Sequence, residues 1–179
     1  MALRNILHDD DPILLKKSRQ ITDFNPRLHE LIDDMRETLL DADGLGLAAV
    51  QVGALRRVVV VLDVGPDGDS DEQKVIELVN PEIIESSGEQ SGPEGCLSIP
   101  GVYGIVHRPD SVTVRAQDRF GKTFDISGHD LTARAFCHEL DHLEGKLFTS
   151  LAEKILTPEE LEELQRADSP SETEEQETL

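Results

Sequence analysis

Residues 128–145 read GHDLTARAFCHELDHLEG, and they decide both the last helix of the chain and the chemistry it carries. Asp130 is the expected N-cap, Leu131 to Leu143 run without a breaker, and Gly145 is placed to stop the helix. Inside this run, His138-Glu139-Leu140-Asp141-His142 forms an H-E-x-x-H motif. Residues four apart on an α-helix are separated by ~40° around the axis and ~6 Å along it. Both imidazoles therefore leave one face and can reach a single metal ion, with Glu139 beside that ion and not on it. A carboxylate so placed can take a proton from water that a metal has acidified. The same pentapeptide also fits a plain surface helix with two histidines, so a third ligand has to decide. Cys137 lies ~100° around the helix from His138 and is assigned to packing.

Upstream of this helix, Asn25-Pro26 opens another, with Leu28, Leu31, Ile32, Met35 and Leu39 at helical spacing and an end near Gly44. Arg57 to Val64 contains five consecutive aliphatic residues, four of them valine, and is stopped by Gly65-Pro66-Asp67-Gly68, which predicts a buried strand. Lys74 to Ile84 is expected to form a second strand, with Pro81 at an edge or bend. Ser111 to Gln117 alternates apolar and polar residues, turns at Gly121 and continues as Thr123 to Ile126, the pattern of a hairpin. Strands followed by a helix give an α+β fold, with mostly antiparallel sheets packed around the helix that carries H-E-x-x-H.

The 179 residues carry 37 acids against 17 bases, a formal net charge of −20. Such a field repels phosphate backbones and anionic membrane surfaces, so neither nucleic acid nor membrane is expected as a direct partner. No apolar run approaches the ~20 residues of a membrane span. Leu3, Ile6 and Leu7, interrupted by Arg4 and Asn5 and followed by Asp9 to Asp11, do not form a secretory signal. Cys96 and Cys137 are read as thiols in a reducing compartment, and a cytoplasmic location is expected. Acid concentrates at the end: Thr157 to Leu179 holds nine acids and one base. Thr157-Pro158-Glu159-Glu160 starts a short helix, and the remainder of the tail has nothing to bury and is expected to be disordered. The expected division is one catalytic domain over 1–156 and an acidic helix and tail over 157–179.

Two kinds of third ligand are available to the histidines. A glutamate from Glu159, Glu160, Glu162 or Glu163 would make a zinc endopeptidase. Cys96, in Glu94-Gly95-Cys96-Leu97-Ser98, would add a thiolate and leave a fourth coordination position open for water. Separately, Gly44-Leu45-Gly46-Leu47-Ala48-Ala49-Val50-Gln51 permits close backbone approach, either to a ligand or in a helix-to-strand turn.

In their order and separations, the stretches GLGLAAVQ at 44–51, EGCLS at 94–98 and HELDH at 138–142 resemble the peptide deformylase family. The resemblance extends over the framework from about Ile6 to Ser150. It implies a hydrolase that removes the formyl group from N-terminal formyl-methionine of newly made polypeptides and releases formate. It implies that Cys96, His138 and His142 hold one divalent metal, with ferrous iron expected and zinc, nickel or cobalt able to substitute. Glu139 would be the general acid and base, while the Gln51 amide and the Leu97 backbone N–H would face the developing oxyanion.

For the substrate, the residues suggest that the peptide backbone pairs near Gly44, Leu45 and Gly46. The methionine side chain would meet Leu45, Leu97, Ala135 and the stem of Arg134. Arg108 matches a family arginine and is expected to pair with Glu94, both being assigned to the substrate site. Two departures from the family pattern stand out. Tyr103 occupies a region that is often basic, and the acidic tail replaces a basic C-terminal helix. Any ribosome contact is therefore expected to be weak and transient, and the chain to be a monomer. Two other readings remain: the H-E-x-x-H endopeptidase, and a non-catalytic, metal-stabilised peptide-binding module in which Glu139 would be dispensable.

Overall fold

A computed structural model describes residues 2–65 and 70–168; the expected turn at Pro66–Gly68 and the tail beyond Asp168 lie outside them. In chain order the elements are α1 (Pro26–Asp41), β1 (Gly46–Ala48), β2 (Val58–Val64), β3 (Ser70–Ser87), β4 (Gln90–Cys96), β5 (Ile99–Arg108), β6 (Ser111–Gln117), β7 (Thr123–His129), α2 (Asp130–Leu143), β8 (Lys154–Ile155) and α3 (Pro158–Asp168). A five-stranded sheet runs β1-β2-β3-β6-β7, a three-stranded sheet runs β4-β5-β8, and every ladder is antiparallel. The α+β architecture expected from the sequence is the one observed.

The valine run shows why the larger sheet has a helix on each face. Successive strand residues point to opposite sides. Val59 and Val61 join the core that contains Phe136, Leu140 and Leu143 of α2. Val58, Val60 and Leu62 join the other core, with Leu28, Ile32, Met35 and Leu39 of α1. A strand buried on both faces has no polar face to alternate with, hence the unbroken aliphatic run. Truncating one of these fully buried side chains, Ile32→Ala for example, would cost about 2–5 kcal/mol. The Asn25 side chain caps α1 by accepting the Leu28 N–H at 3.0 Å, and Pro26 fills the first turn.

One local expectation needs correction, the alternatives left open for Pro81 are decided, and one hairpin was not foreseen. Asp130 does not cap α2: His129 holds that position without a side-chain cap bond, and Asp130 is the first helical residue with φ +51°. Its backbone N–H is taken by the Asp110 carbonyl at 2.9 Å, which fixes the tight entry from β7 and leaves its side chain no capping role. Pro81 is not on a sheet edge, because β3 is the central strand. Instead the ladder with β6 slips between Val79 and Glu82, and Asn80 takes φ +50°, so the missing N–H of proline falls in a bulge. Finally, Gln90 to Arg108 forms the β4–β5 hairpin, which the sequence reading did not anticipate.

No helix among the described residues is long and apolar enough to cross a membrane.

Candidate active site

The site forms where α2, the end of β4 and the short β1 strand meet. Cys96 closes β4 and turns through Leu97 and Ser98 into β5. His138 and His142 leave α2 on one face, their rings 5.0 Å apart and nearly perpendicular. One donor atom from each of Cys96, His138 and His142 lies within 4.8 Å of the other two, and among the described residues this is the only such group of three. The Cys96 sulfur is 3.3 Å from His142 Nε2. The acids of α3 do not join this cluster.

Glu139 points into the same place. It is buried, its Oε1 is 4.0 Å from His138 Nε2, and its Oε2 has no hydrogen-bond partner. Burial pushes its carboxyl up to about 7; positive His138 opposes the shift and negative Glu94 adds to it. Gly46 makes room for it, since a Cβ there would stand 2.6 Å from Glu139 Oε1. His142 Nδ1 is likewise buried and unpartnered, and burial followed by the neighbouring His138 pushes this ring down to about 3. Burial also opposes charge on His138, but the Cys96 sulfur, Glu94 and Glu139 outweigh it and hold the ring above the ordinary histidine range. Two imidazoles and a thiol are borderline-to-soft donors suited to a divalent transition metal, and unpartnered buried polar atoms beside them suit a site completed by a cation and water. The residues present therefore fit a divalent metal ion, as the family resemblance implied.

Gln51 is buried in the short 3-10 turn after β1. Its Oε1 accepts the Ala48 N–H at 2.9 Å, and its Nε2 donates to Ser98 Oγ at 3.1 Å and points to Cys96 Sγ at 3.5 Å. A cavity of about 420 Å³ opens beside Cys96, His138 and Glu139, with Gln51 and His142 set behind its wall. Gly44, Leu45, Gly46, Glu94, Cys96, Leu97, Arg134, Ala135, His138 and Glu139 all contribute to its wall, with Tyr103 and Leu131 at partly exposed positions. Arg108 does not line it. It is buried behind Glu94, which it grips through Nε at 3.1 Å and Nη2 at 2.8 Å. The expected pairing is present, but direct contact with a substrate in this cavity is not available to Arg108, because the Glu94 carboxylate occupies its guanidinium.

A family model described as polypeptide deformylase matches residues 3–156. The chain belongs to that family. Among curated deformylases, that of Caldanaerobacter subterraneus subsp. tengcongensis is 52% identical over 162 residues, covering 90% of this chain and 97% of the relative. The crystal structure of a peptide deformylase from Legionella pneumophila is similar with a TM-score of 0.77 at 42% identity, covering 94% of this chain and all of that one. The Thermotoga maritima peptide deformylase is similar at the same TM-score with 33% identity, covering 85% and 99% of the two chains. The chain is thus an enzyme of the deformylase family, and its fold agrees with those of solved deformylases.

The sequence reading missed Asp141 and Ser98. Asp141 lies inside the quoted motif and accepts from Arg108 Nη1 at 2.7 Å, a contact that no spacing rule would reveal. Ser98, fully buried, orients Gln51.

Proposed function

We propose that this chain removes the formyl group from the N-terminal formyl-methionine of newly made polypeptides, releasing formate, at the site formed by Cys96, His138, His142 and Glu139. The observation that carries this is the convergence of a thiol and two imidazoles beside a buried carboxylate with a free oxygen, at the head of a cavity walled by Gly44 to Gly46. Membership in the family supports the same reading.

Cys96, His138 and His142 would hold one divalent ion, which supplies Lewis acidity to polarise a carbonyl and to lower the pKa of water. Ferrous iron is the expected native ion by resemblance, with zinc, nickel or cobalt able to replace it; the thiolate donor supports a borderline-to-soft metal over magnesium or calcium. Glu139 accepts the proton of the attacking water as the new C–O bond forms to the formyl carbon. It then gives that proton to the nitrogen as the C–N bond breaks, leaving formate and a free amine. Burial raises the Glu139 carboxyl and a cation held beside it would oppose that rise, so the site sets two counteracting influences on the group that must both take and return a proton. Charge developing on the formyl oxygen would meet the Gln51 amide and the Leu97 backbone N–H, an arrangement that typically contributes ~3–4 kcal/mol per donor. Ser98 and the Ala48 N–H hold the Gln51 amide on both sides, and the N–H that points to Cys96 Sγ is the one that would turn to the formyl oxygen.

Gly44, Leu45 and Gly46, at the cavity wall, would offer backbone groups to an extended peptide, and the apolar walls from Leu45, Leu97 and Ala135 and the Arg134 stem would take the methionine side chain. We further read the enzyme as a cytoplasmic monomer with at most weak, transient ribosome contact, in keeping with its net charge of −20. Formate release from a formyl-Met dipeptide, measured on anaerobically prepared wild type and Glu139→Ala, tests the assignment. Turnover by the wild type with a loss of ~10²-fold or more in the variant supports it; equal turnover removes Glu139 from the mechanism.

A further inference from the structure

We propose that Asp141 is a positioning residue for His138, acting through Arg108 and Glu94 of the three-stranded sheet packed against α2; this rests on the metal-site reading above.

Arg108 comes from β5 and Glu94 from β4, while Asp141 and His138 sit one turn apart on α2. All three guanidinium nitrogens of Arg108 are committed: Nε and Nη2 to Glu94, and Nη1 to Asp141 Oδ2 at 2.7 Å. Glu94 Oε2, already held by Arg108, meets His138 Nδ1 at 3.0 Å. A carboxylate can only accept, so the hydrogen is on Nδ1 and the lone pair of Nε2 is left for the metal. The chain of contacts Asp141–Arg108–Glu94–His138 thus sets both the tautomer and the tilt of one ligand.

Charge balance gives Asp141 its influence. The cluster contains two guanidiniums, Arg108 and Arg134, and two carboxylates, Glu94 and Asp141. Arg108, Arg134 and Glu94 are buried, and the Asp141 side chain is 24% exposed. Without the Asp141 charge, Glu94 alone would answer two buried cations. Its oxygens would be drawn toward the arginines, and its hold on the His138 N–H would weaken. Arg108 would also lose the contact that fixes its plane against α2. Partners of this kind typically change metal affinity by 10–100-fold when removed.

The test uses Co²⁺ as probe. Its affinity is measured by chelator competition and its ligand environment by visible absorption, on wild type, Asp141→Asn, Asp141→Glu, Arg108→Lys and the Asp141→Asn/Arg108→Lys double variant. The expected result is ~10–100-fold weaker Co²⁺ binding with a shifted spectrum in Asp141→Asn and in Arg108→Lys. Partial recovery is expected in Asp141→Glu, and the double variant should be no weaker than Arg108→Lys alone. Unchanged affinity and spectrum, or a fall only in the melting temperature of the metal-free protein, would overturn the positioning role. If Co²⁺ binding follows the expected pattern but wild type releases no formate from a formyl-Met dipeptide, the positioning role stands and the deformylase mechanism fails.

Discussion

Glu139 is packed against the backbone of Gly46: a Cβ added at Gly46 would lie 2.6 Å from Oε1, 2.7 Å from Cγ and 2.9 Å from Cδ of Glu139. The carboxylate proposed to carry the proton and the segment proposed to pair with the peptide are therefore positioned against one another. Gly46→Ala has to displace Glu139, and kcat for formyl-Met peptides should fall by about 10²-fold or more. Bound metal should remain near the wild-type level, since Gly46 touches none of the three donors in the way it touches Glu139. Full kcat in this variant would contradict the packing argument.

Cys96→Ala should lose tight metal binding, because it leaves two imidazoles and no anionic donor. Metal analysis of protein purified with added nickel should show a stoichiometry well below that of the wild type. Glu160→Gln, on α3, should retain the wild-type level. The opposite pattern is what an endopeptidase with a glutamate ligand would give.

The two thiols should differ in reactivity. Cys137 is buried, and burial pushes its thiol up to about 11, with Arg108 opposing the shift. At pH 8 almost none of it is thiolate, the reactive form. Cys96 is half-buried at the cavity wall. Brief alkylation of the metal-free protein, followed by mass spectrometry, should find label on Cys96 and little on Cys137. Added nickel should protect Cys96.

Asp34 ties the start of the chain to α1. Burial pushes its carboxyl up, but the Ala2 backbone N–H at 2.8 Å and the Arg4 guanidinium at 2.9 Å outweigh this and hold it below the ordinary carboxylate range. A lowered folded-state pKa contributes stability above the unfolded value of about 3.9, and that contribution disappears as pH falls through the folded value. Asp34→Asn should therefore be less stable than wild type by about 1 kcal/mol in urea at pH 7, a modest figure because Arg4 is partly solvated. The difference should narrow as pH falls through the lowered folded-state value. A gap independent of pH would mean that shape, and not charge, makes the contribution.

Much of this was legible in the sequence because periodicity reports burial. Leu28, Ile32, Met35 and Leu39 marked α1, the valine run marked a strand covered on both faces, and the spacing of His138 and His142 placed two donors on one side of α2. The β4–β5 hairpin was not legible. Gly92, Pro93, Gly95, Pro100, Gly101 and Gly104 give it the composition of a loop, and part of it faces the cavity, so the alternation that signals a strand is broken. The motif resemblance singled out Cys96 as the expected third donor, and the structure brings its sulfur together with the two imidazoles, whereas its own flanking residues could only make it a candidate. Arg108 was matched to Glu94 but misplaced as a substrate contact, because sequence does not say on which side of a carboxylate an arginine lies. Its second partner, Asp141, depends on how the three-stranded sheet meets α2, and no local pattern encodes that.

The β1 strand pairs with β2 on one side only and is three residues long. An open sheet margin is ordinarily a hazard, since any neighbouring extended chain can add to it. Its three residues are buried and of them Gly46 alone lines the cavity, so a peptide pairing there, as proposed above, would find just a few main-chain contacts, enough to set its alignment and too few to retain it. Brevity at that margin would let each product leave promptly while giving stray copies of the protein little to stack upon.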